Sequence, residues 1–343
     1  MARTTFPARG AALLTAFALA LGGCAGASSA DDDGRARVRF ALDWTPNTNH
    51  TGLYVALAQG WFDEAGLDVQ VLPYSDTAPD QLVDAGAAEA GISTHDGSLL
   101  AQAAGADVVI VMAVLQHWAT AIGVRADDER IRSPRDLDGL VYAGFGMPGE
   151  VPLLREVIRA DGGTGDFTTV VLGSSAYEAL YAGEADFTIP YVAWEGIEAE
   201  RAGTPMRYLH YTDHGFPDAY QVVVDASRTW VADEPETARA FVATLRRGYA
   251  WAAEHPDEAA ALLVEQNPDA FVDRDMVTRS QRMLAADWLR ADDGSVGTMT
   301  LAQVAGYGDF LFDAGVLAGP DGDPPAQRPD WSTTFTTSLL GTP

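Results

Sequence analysis

Residues 40–74 read FALDWTPNTNHTGLYVALAQGWFDEAGLDVQVLPY. A short apolar strand over 40–42 runs into a polar loop holding Asp43, Trp44, Asn47, Asn49 and His50. A helix is predicted from about Thr51, and a second apolar run over 67–72 follows its end. That is a strand–loop–helix–strand unit. In an open α/β sheet such a unit places its loop and helix start at the carboxyl edge of the strands, where ligands bind. An indole, amides and an imidazole in one loop suit a small-molecule contact surface. The structural alternative is a turn around a buried tryptophan.

The alternation continues outward. Residues 77–88 pattern as a helix and 90–93 as a short strand ending in the polar loop Thr94-His95-Asp96-Gly97-Ser98. A helix over 99–104 precedes the apolar run 108–115, typical of a strand buried on both faces, with Gln116, His117 and Trp118 at its end. The order β-α-β-α-β-α-β predicts a mostly parallel sheet covered by helices. The charged, turn-rich segment 125–137 places a domain crossing near 123–126. A second alternation follows: a strand over 140–143, the glycine-rich loop 144–149, a helix over 150–160 and a strand over 167–172. Ser174 and Ser175 are candidate caps for a helix over 176–182. A strand over 187–192 leads through Trp194 and Glu195 into a short helix, and 206–211 is a further strand. Residues 212–219 read as the return crossing, and 220–224 as a strand rejoining the first half. Asp233 is a candidate cap for a helix running to His255, with Phe241, Val242, Leu245 and Tyr249 on its buried side. Pro256 and Pro268 punctuate the helices that follow, and 318–330 is a loop.

The fold class expected is therefore α/β, with two lobes joined by two crossings and a ligand cleft between them. Lobe 1 comprises 38–123 and 221–343, and lobe 2 comprises 124–220. Residues 1–23 lie outside the fold. Arg3 and Arg9 precede an apolar run over 11–21, too short at about a dozen residues to span a membrane, and small residues then lead to Cys24. Cys24 is the only cysteine, so no disulfide within the chain is expected. Residues 24–37 lack large apolar side chains and read as a flexible tether.

Charge narrows the partners. The chain has 22 basic and 49 acidic residues, a formal net charge of −27, and such a surface repels phosphate backbones. Nucleic-acid binding is therefore not expected. Every basic residue is arginine, and lysine is absent.

Four stretches carry a family resemblance: DWTPNTNHTGLYVALAQGWFDEAGLDV at 43–69, AGISTHDG at 90–97, YAGFGMPGE at 142–150 and WEGIEAERAG at 194–203. With them the chain resembles, over about 38–290, the substrate-binding proteins of bacterial ABC importers. The branch is the thiamine-pyrimidine-synthase-like one, which includes binders of thiamine pyrimidine precursors and fungal synthases. Its leader resembles the bacterial lipoprotein signal, which implies lipid attachment at Cys24 and an extracytoplasmic, membrane-anchored protein. The resemblance also implies a type II periplasmic-binding fold, permease and ATPase partners, and capture of a hydroxymethylpyrimidine or formylaminopyrimidine. A monomer is expected, with no resident cofactor, no metal and no catalytic residue.

A flat heteroaromatic ring needs aromatic faces, and Trp44, Trp118, Phe145, Tyr191 and Trp194 stand at strand ends or in adjacent loops. Its amino edge suits a carboxylate, with Glu195 the first choice and Asp43 and Asp96 behind it. Asn47, His50 and His95 complete the polar set, and Gly146 allows close backbone approach to a ligand. Each has a structural alternative: Trp194 and Trp118 as core, Glu195 as a helix cap, His95 and Asp96 as a turn. An enzyme is the competing class. The fungal relatives hold pyridoxal phosphate on a lysine and carry a cysteine-rich iron motif, and this chain offers neither group. Riboflavin, another heterocycle, or a sulfonate or nitrate are alternative ligands, although an anion would call for arginine in the loops.

Overall fold

The computed structural model describes residues 34–341. The leader, Cys24 and most of the tether lie outside the described residues. Regular structure begins earlier than the sequence pattern indicates, because β1 (Ala36–Ala41) starts inside the segment read as tether. Its alternation buries Val38 and Phe40 while Arg39 ion-pairs with Glu89.

The chain then passes through α1 (Thr51–Ala58), α2 (Trp61–Glu64), β2 (Leu67–Val71), α3 (Pro79–Asp84), β3 (Ala90–Thr94), α4 (His95–Ala103) and β4 (Val108–Ala113). It changes sheets and forms β5 (Ile122–Arg125), β6 (Val141–Gly144), α5 (Glu150–Ala160), β7 (Thr168–Val171), α6 (Ser175–Ala182), β8 (Phe187–Thr188), α7 (Glu195–Arg201) and β9 (Met206–Leu209). It returns as β10 (Val222–Ser227), followed by α8 (Arg228–Asp233), α9 (Pro235–Glu254), α10 (Pro256–Gln266), α11 (Arg274–Asp287) and α12 (Leu301–Asp313). Among the described residues no helix is long and apolar enough to cross a membrane.

There are two five-stranded sheets, ordered β2-β1-β3-β10-β4 and β7-β6-β8-β5-β9. In the first, β10 runs antiparallel to both β3 and β4, and in the second β5 runs antiparallel to β8 and β9. The remaining pairings are parallel: β1 with β2 and β3, and β6 with β7 and β8. Each half thus inserts one strand of opposite sense, contributed after the chain has crossed from the other half. The crossings themselves occupy 114–121 and 210–221. The position near 123–126 read from the sequence falls inside β5, which already belongs to the second sheet.

The first core is built on β1, β10 and α9, where Phe40 and Phe62 each lie with ring centroids 5.6 Å from Phe241. Helix α1 is apolar all round and buried from Thr51 to Ala56. In the second half Tyr142, Phe167 and Phe187 pack ring to ring at 5.3–6.0 Å. One apolar cluster spans both halves. It joins Leu99, Ile110 and Val223 to Ile122, Tyr142 and Phe187, with Val304, Tyr307 and Leu311 of α12. The segment after α12 returns to the β4 edge, where the Ile110 N–H donates to the Thr334 carbonyl at 3.0 Å.

Local chemistry explains where elements depart from the sequence pattern. Strand β8 stops at Thr188 because Pro190 has no N–H to give, although Val192 N still donates to Ala119 O at 3.0 Å. Helix α4 starts at His95 rather than 99, since the Thr94 hydroxyl accepts from Gly97 N. Ser174 makes no capping bond to α6, and Asp233 caps nothing: it closes α8, and α9 restarts at Pro235.

Candidate functional site

The carboxyl edges of the parallel strands of both sheets face one another across a cavity of about 810 Å³. The loop after β1 supplies Asp43 to Asn49, the loop after β2 supplies Tyr74 to Asp80, and the β3–α4 junction supplies Ser93, Thr94, Asp96 and Gly97. From the other sheet come Phe145, Met147, Gly149 and Glu150 after β6, Ser174, Tyr177, Glu178 and Tyr181 after β7, and Ile189, Tyr191, Ala193, Trp194, Glu195 and Glu198 after β8. Trp118, Thr120 and Gln221 contribute from the crossings, and Tyr307 from α12.

Nine of the residues expected from the sequence line this cavity: Asp43, Trp44, Asn47, Asp96, Trp118, Phe145, Tyr191, Trp194 and Glu195. Trp44 stands at the mouth, 45% exposed, with its ring centroid 5.1 Å from Tyr74. Phe145 lies 5.8 Å from Tyr177 and Trp194 lies 6.4 Å from Phe271. Asn47 spends its side chain on the loop itself, accepting from Asn49 N and donating to Thr45 O. Trp118 is committed to packing, edge-on to Tyr211, Phe216 and Tyr307, while its indole N–H donates to Pro217 O at 2.8 Å.

Three expected contacts stand behind the wall and are corrected. His50 is fully buried; its Nδ1 accepts from Asn47 N and its Nε2 lies 2.7 Å from Asp43 Oδ1. It therefore aims Asp43 into the cavity and does not itself line it. His95 is buried between Tyr220 and Tyr307, and burial pulls its pKa down to about 4, so it is neutral at physiological pH. Gly146 does not line the cavity. Its φ is +93°, and a Cβ there would meet Val171 Cγ1 at 2.8 Å, so turn geometry and close packing account for the glycine.

Glu195 opens α7, and its Oε2 accepts from Tyr191 N at 2.9 Å. Burial raises its pKa to about 7, helped by the like charge of Glu198 one turn on. Burial likewise raises Asp96, which faces the second half: a Cβ placed on Gly149 would lie 3.7 Å from Asp96 Oδ2. The Tyr191 phenol is pushed well up by burial and then by three carboxylates, Asp43, Asp96 and Glu195. Side chains from both halves thus converge on one hydroxyl.

The cavity also holds residues that the sequence reading passed over. Asp76, Asp80, Glu150, Glu178 and Glu198 bring the lining to eight carboxylates, and Tyr74, Tyr177, Tyr181 and Tyr307 add aromatic surface. Among the described residues neither arginine nor histidine lines it. Glu150 Oε2 accepts from the Tyr142 hydroxyl and from Gly146 N, both at 3.0 Å. Most of these residues follow β2 or β7, so the strand-edge rule applied at β1 and β3 extends to them. Tyr307 arrives from a distant helix and has no local signal.

Residues 47–259 match the NMT1/THI5-like family. The chain is 32% identical over 257 residues to the formylaminopyrimidine-binding protein of Halalkalibacterium halodurans, covering 74% of this chain and 77% of that protein. It is 27% identical to the riboflavin-binding protein RibY of Chloroflexus aurantiacus, covering 83% and 82%. It is 22% identical to a 4-amino-5-hydroxymethyl-2-methylpyrimidine phosphate synthase of Legionella pneumophila, covering 68% and 75%. The alkanesulfonate-binding protein SsuA from Xanthomonas axonopodis pv. citri superposes with a TM-score of 0.63 at 17% identity, over 88% of this chain and 98% of that one. With a family match over more than half its length and two sheets of this topology, the chain belongs to the NMT1/THI5-like family and has the periplasmic-binding-protein fold.

Proposed function

We propose that this protein is the solute receptor of an ABC importer and captures a thiamine pyrimidine precursor, of the hydroxymethylpyrimidine or formylaminopyrimidine type, between its two lobes. The observation that carries this reading is the lining of the cavity, which among the described residues has aromatic rings from both sheets, eight carboxylates and no arginine. Rings offer faces to a flat heterocycle, and carboxylates accept from its amino edge. Glu195 is the principal acceptor, with Asp43 and Asp96 across the cleft, and Trp44 covers the ring from the mouth. A sulfonate or nitrate would enter a field of its own sign, which counts against either. The relative that binds formylaminopyrimidine supports the choice of ring.

The carrier reading is favoured over a synthase by the cleft's chemistry. A Schiff base to a cofactor needs an amine side chain, and the chain has no lysine. A permease and an ATPase are the partners this role requires. In this reading the leader directs the protein out of the cytoplasm, a lipid on Cys24 holds it to the membrane, and the receptor works as a monomer.

A second reading has its own support. A volume of about 810 Å³ is generous for one pyrimidine and accommodates a tricyclic flavin, and one relative binds riboflavin. Thermal melting of the purified protein against pyrimidines, flavins, sulfonates and nitrate separates these. A pyrimidine at a hundredfold excess over its Kd should raise the Tm by about 5 °C or more. Stabilisation by riboflavin alone would replace the pyrimidine assignment, and stabilisation by a sulfonate alone would overturn both.

A further inference from the structure

The short helix α7 joins the cleft to the opposite lobe. Trp194, Glu195 and Glu198 line the cavity from its start, whereas Glu200 and Arg201 at its far end reach across to lobe 1. Glu200 pairs with Arg279 of α11. Arg201 pairs with Asp273 through one carboxylate oxygen, while the other accepts from Met276 N at 3.0 Å and caps the same helix. Trp194 packs against an apolar cluster otherwise built from lobe 1, with Tyr54, Leu263, Phe271 and Val277 among its members. Among the described residues, and with the histidine pairs at the crossings set aside, these two ion pairs are the ones that join the lobes.

The pairing also has a direction. On α7 an acid and a base are adjacent, and their partners at 279 and 273 stand about 9 Å apart along the facing helix. A slip that brought Glu200 to Asp273, or Arg201 to Arg279, would set like charges together, so the two pairs specify one arrangement of the lobes. The four side chains are 35–47% exposed, so each pair is screened by salt and weak by itself. Weak pairs made only where the lobes meet suit a receptor that must also open.

We propose that α7 is a clasp: Glu200 with Arg279 and Arg201 with Asp273 hold the lobes together, keep Trp194 and Glu195 over the solute, and set its rate of release. The proposal rests on the reading of the cleft as a solute site and adds what retains the solute there.

Arg279→Glu sets a carboxylate against Glu200, and adding Glu200→Arg restores an opposite pair. Small-angle scattering of the purified protein without ligand compares the parent, the single variant and the swapped pair. At about 20 mM salt the single variant should have the larger radius of gyration, the swap should restore the parent value, and the difference should vanish at about 500 mM. Equal profiles for the three proteins, or an expansion that the swap does not reverse, would overturn the clasp whatever the ligand. Stopped-flow release is then measured with 4-amino-5-hydroxymethyl-2-methylpyrimidine, or with riboflavin where only that binds. Release should be about three- to tenfold faster from Arg279→Glu and return toward the parent rate in the swap. Unchanged release from an expanded variant would overturn the control of release by α7. If neither compound binds the parent, the solute reading falls, and the scattering comparison still decides whether α7 holds the lobes together.

Discussion

At the scale of single residues, Glu195 links folding to binding. Its carboxyl titrates near pH 7 in the folded chain, against 4.5 for a free glutamate. The folded state therefore holds more protons than the unfolded state between those values, and stability falls as pH rises from 4.5 to 7. The cost at higher pH is at most about 3 kcal/mol. Glu195→Gln removes it and keeps an acceptor for Tyr191 N. The variant should melt higher than the parent at pH 8 and close to it at pH 5, while pyrimidine affinity drops by about tenfold or more. A Tm difference unchanged between the two pH values would show that burial does not strain the carboxylate. Glu195 and Trp44 were legible in the sequence because they follow strands, and strand ends point at the cleft. His50 and His95 were not, because residue type does not reveal direction: one imidazole points at Asp43 and the other into the aromatic packing behind α4.

At the scale of elements, α1 and α9 pack closely at glycines. A Cβ on Gly248 would lie 2.0 Å from the Gly52 carbonyl oxygen, and one on Gly52 would lie 2.3 Å from Tyr249 Cγ. These glycines are there for approach, not for turning. Gly248→Ala forces the helices apart and should cost about 1–3 kcal/mol or more, read as a lower denaturation midpoint with an unchanged m-value. An unaltered midpoint would mean that α9 shifts freely. Amphipathic elements read well from the sequence: the helix predicted over 150–160 is α5 residue for residue, and Phe241, Val242, Leu245 and Tyr249 are all buried. Boundaries set by a single group did not, among them the loss of a donor at Pro190 and the restart of the chain at Pro235.

At the scale of the whole molecule, the crossings determine what can move. Asp218 grips the first crossing from the second: its Oδ2 lies 2.5 Å from His117 Nδ1, and its Oδ1 accepts from Trp118 N at 3.1 Å. Thr120 donates to Gln221 at 3.1 Å between the same two segments. If closure is a rotation about these joined segments, ligand should reduce the radius of gyration measured by small-angle scattering, and identical profiles with and without ligand would count against it. The alternation of strands and helices made both halves legible, but the first crossing was misplaced for a physical reason. Residues 125–137 are charged and resemble a linker, whereas the real crossing carries Val114, Leu115, Ala119 and Ala121, all at most 1% exposed. A crossing that is part of the core leaves no polar signature.

The apolar cluster that runs from Leu99 and Ile110 through Ile122 to Tyr142, completed by Val304 and Tyr307, has a consequence for how the protein comes apart. Architecture divides the chain in two, but cohesion does not follow the same line. Each half borrows a strand delivered by the crossings and shares side chains with the other and with α12. Each half has a core of its own, but this cluster is an interior that neither can complete alone. The two lobes are joint as a cooperative folding unit through this shared interior, so loss of order in one propagates to the other.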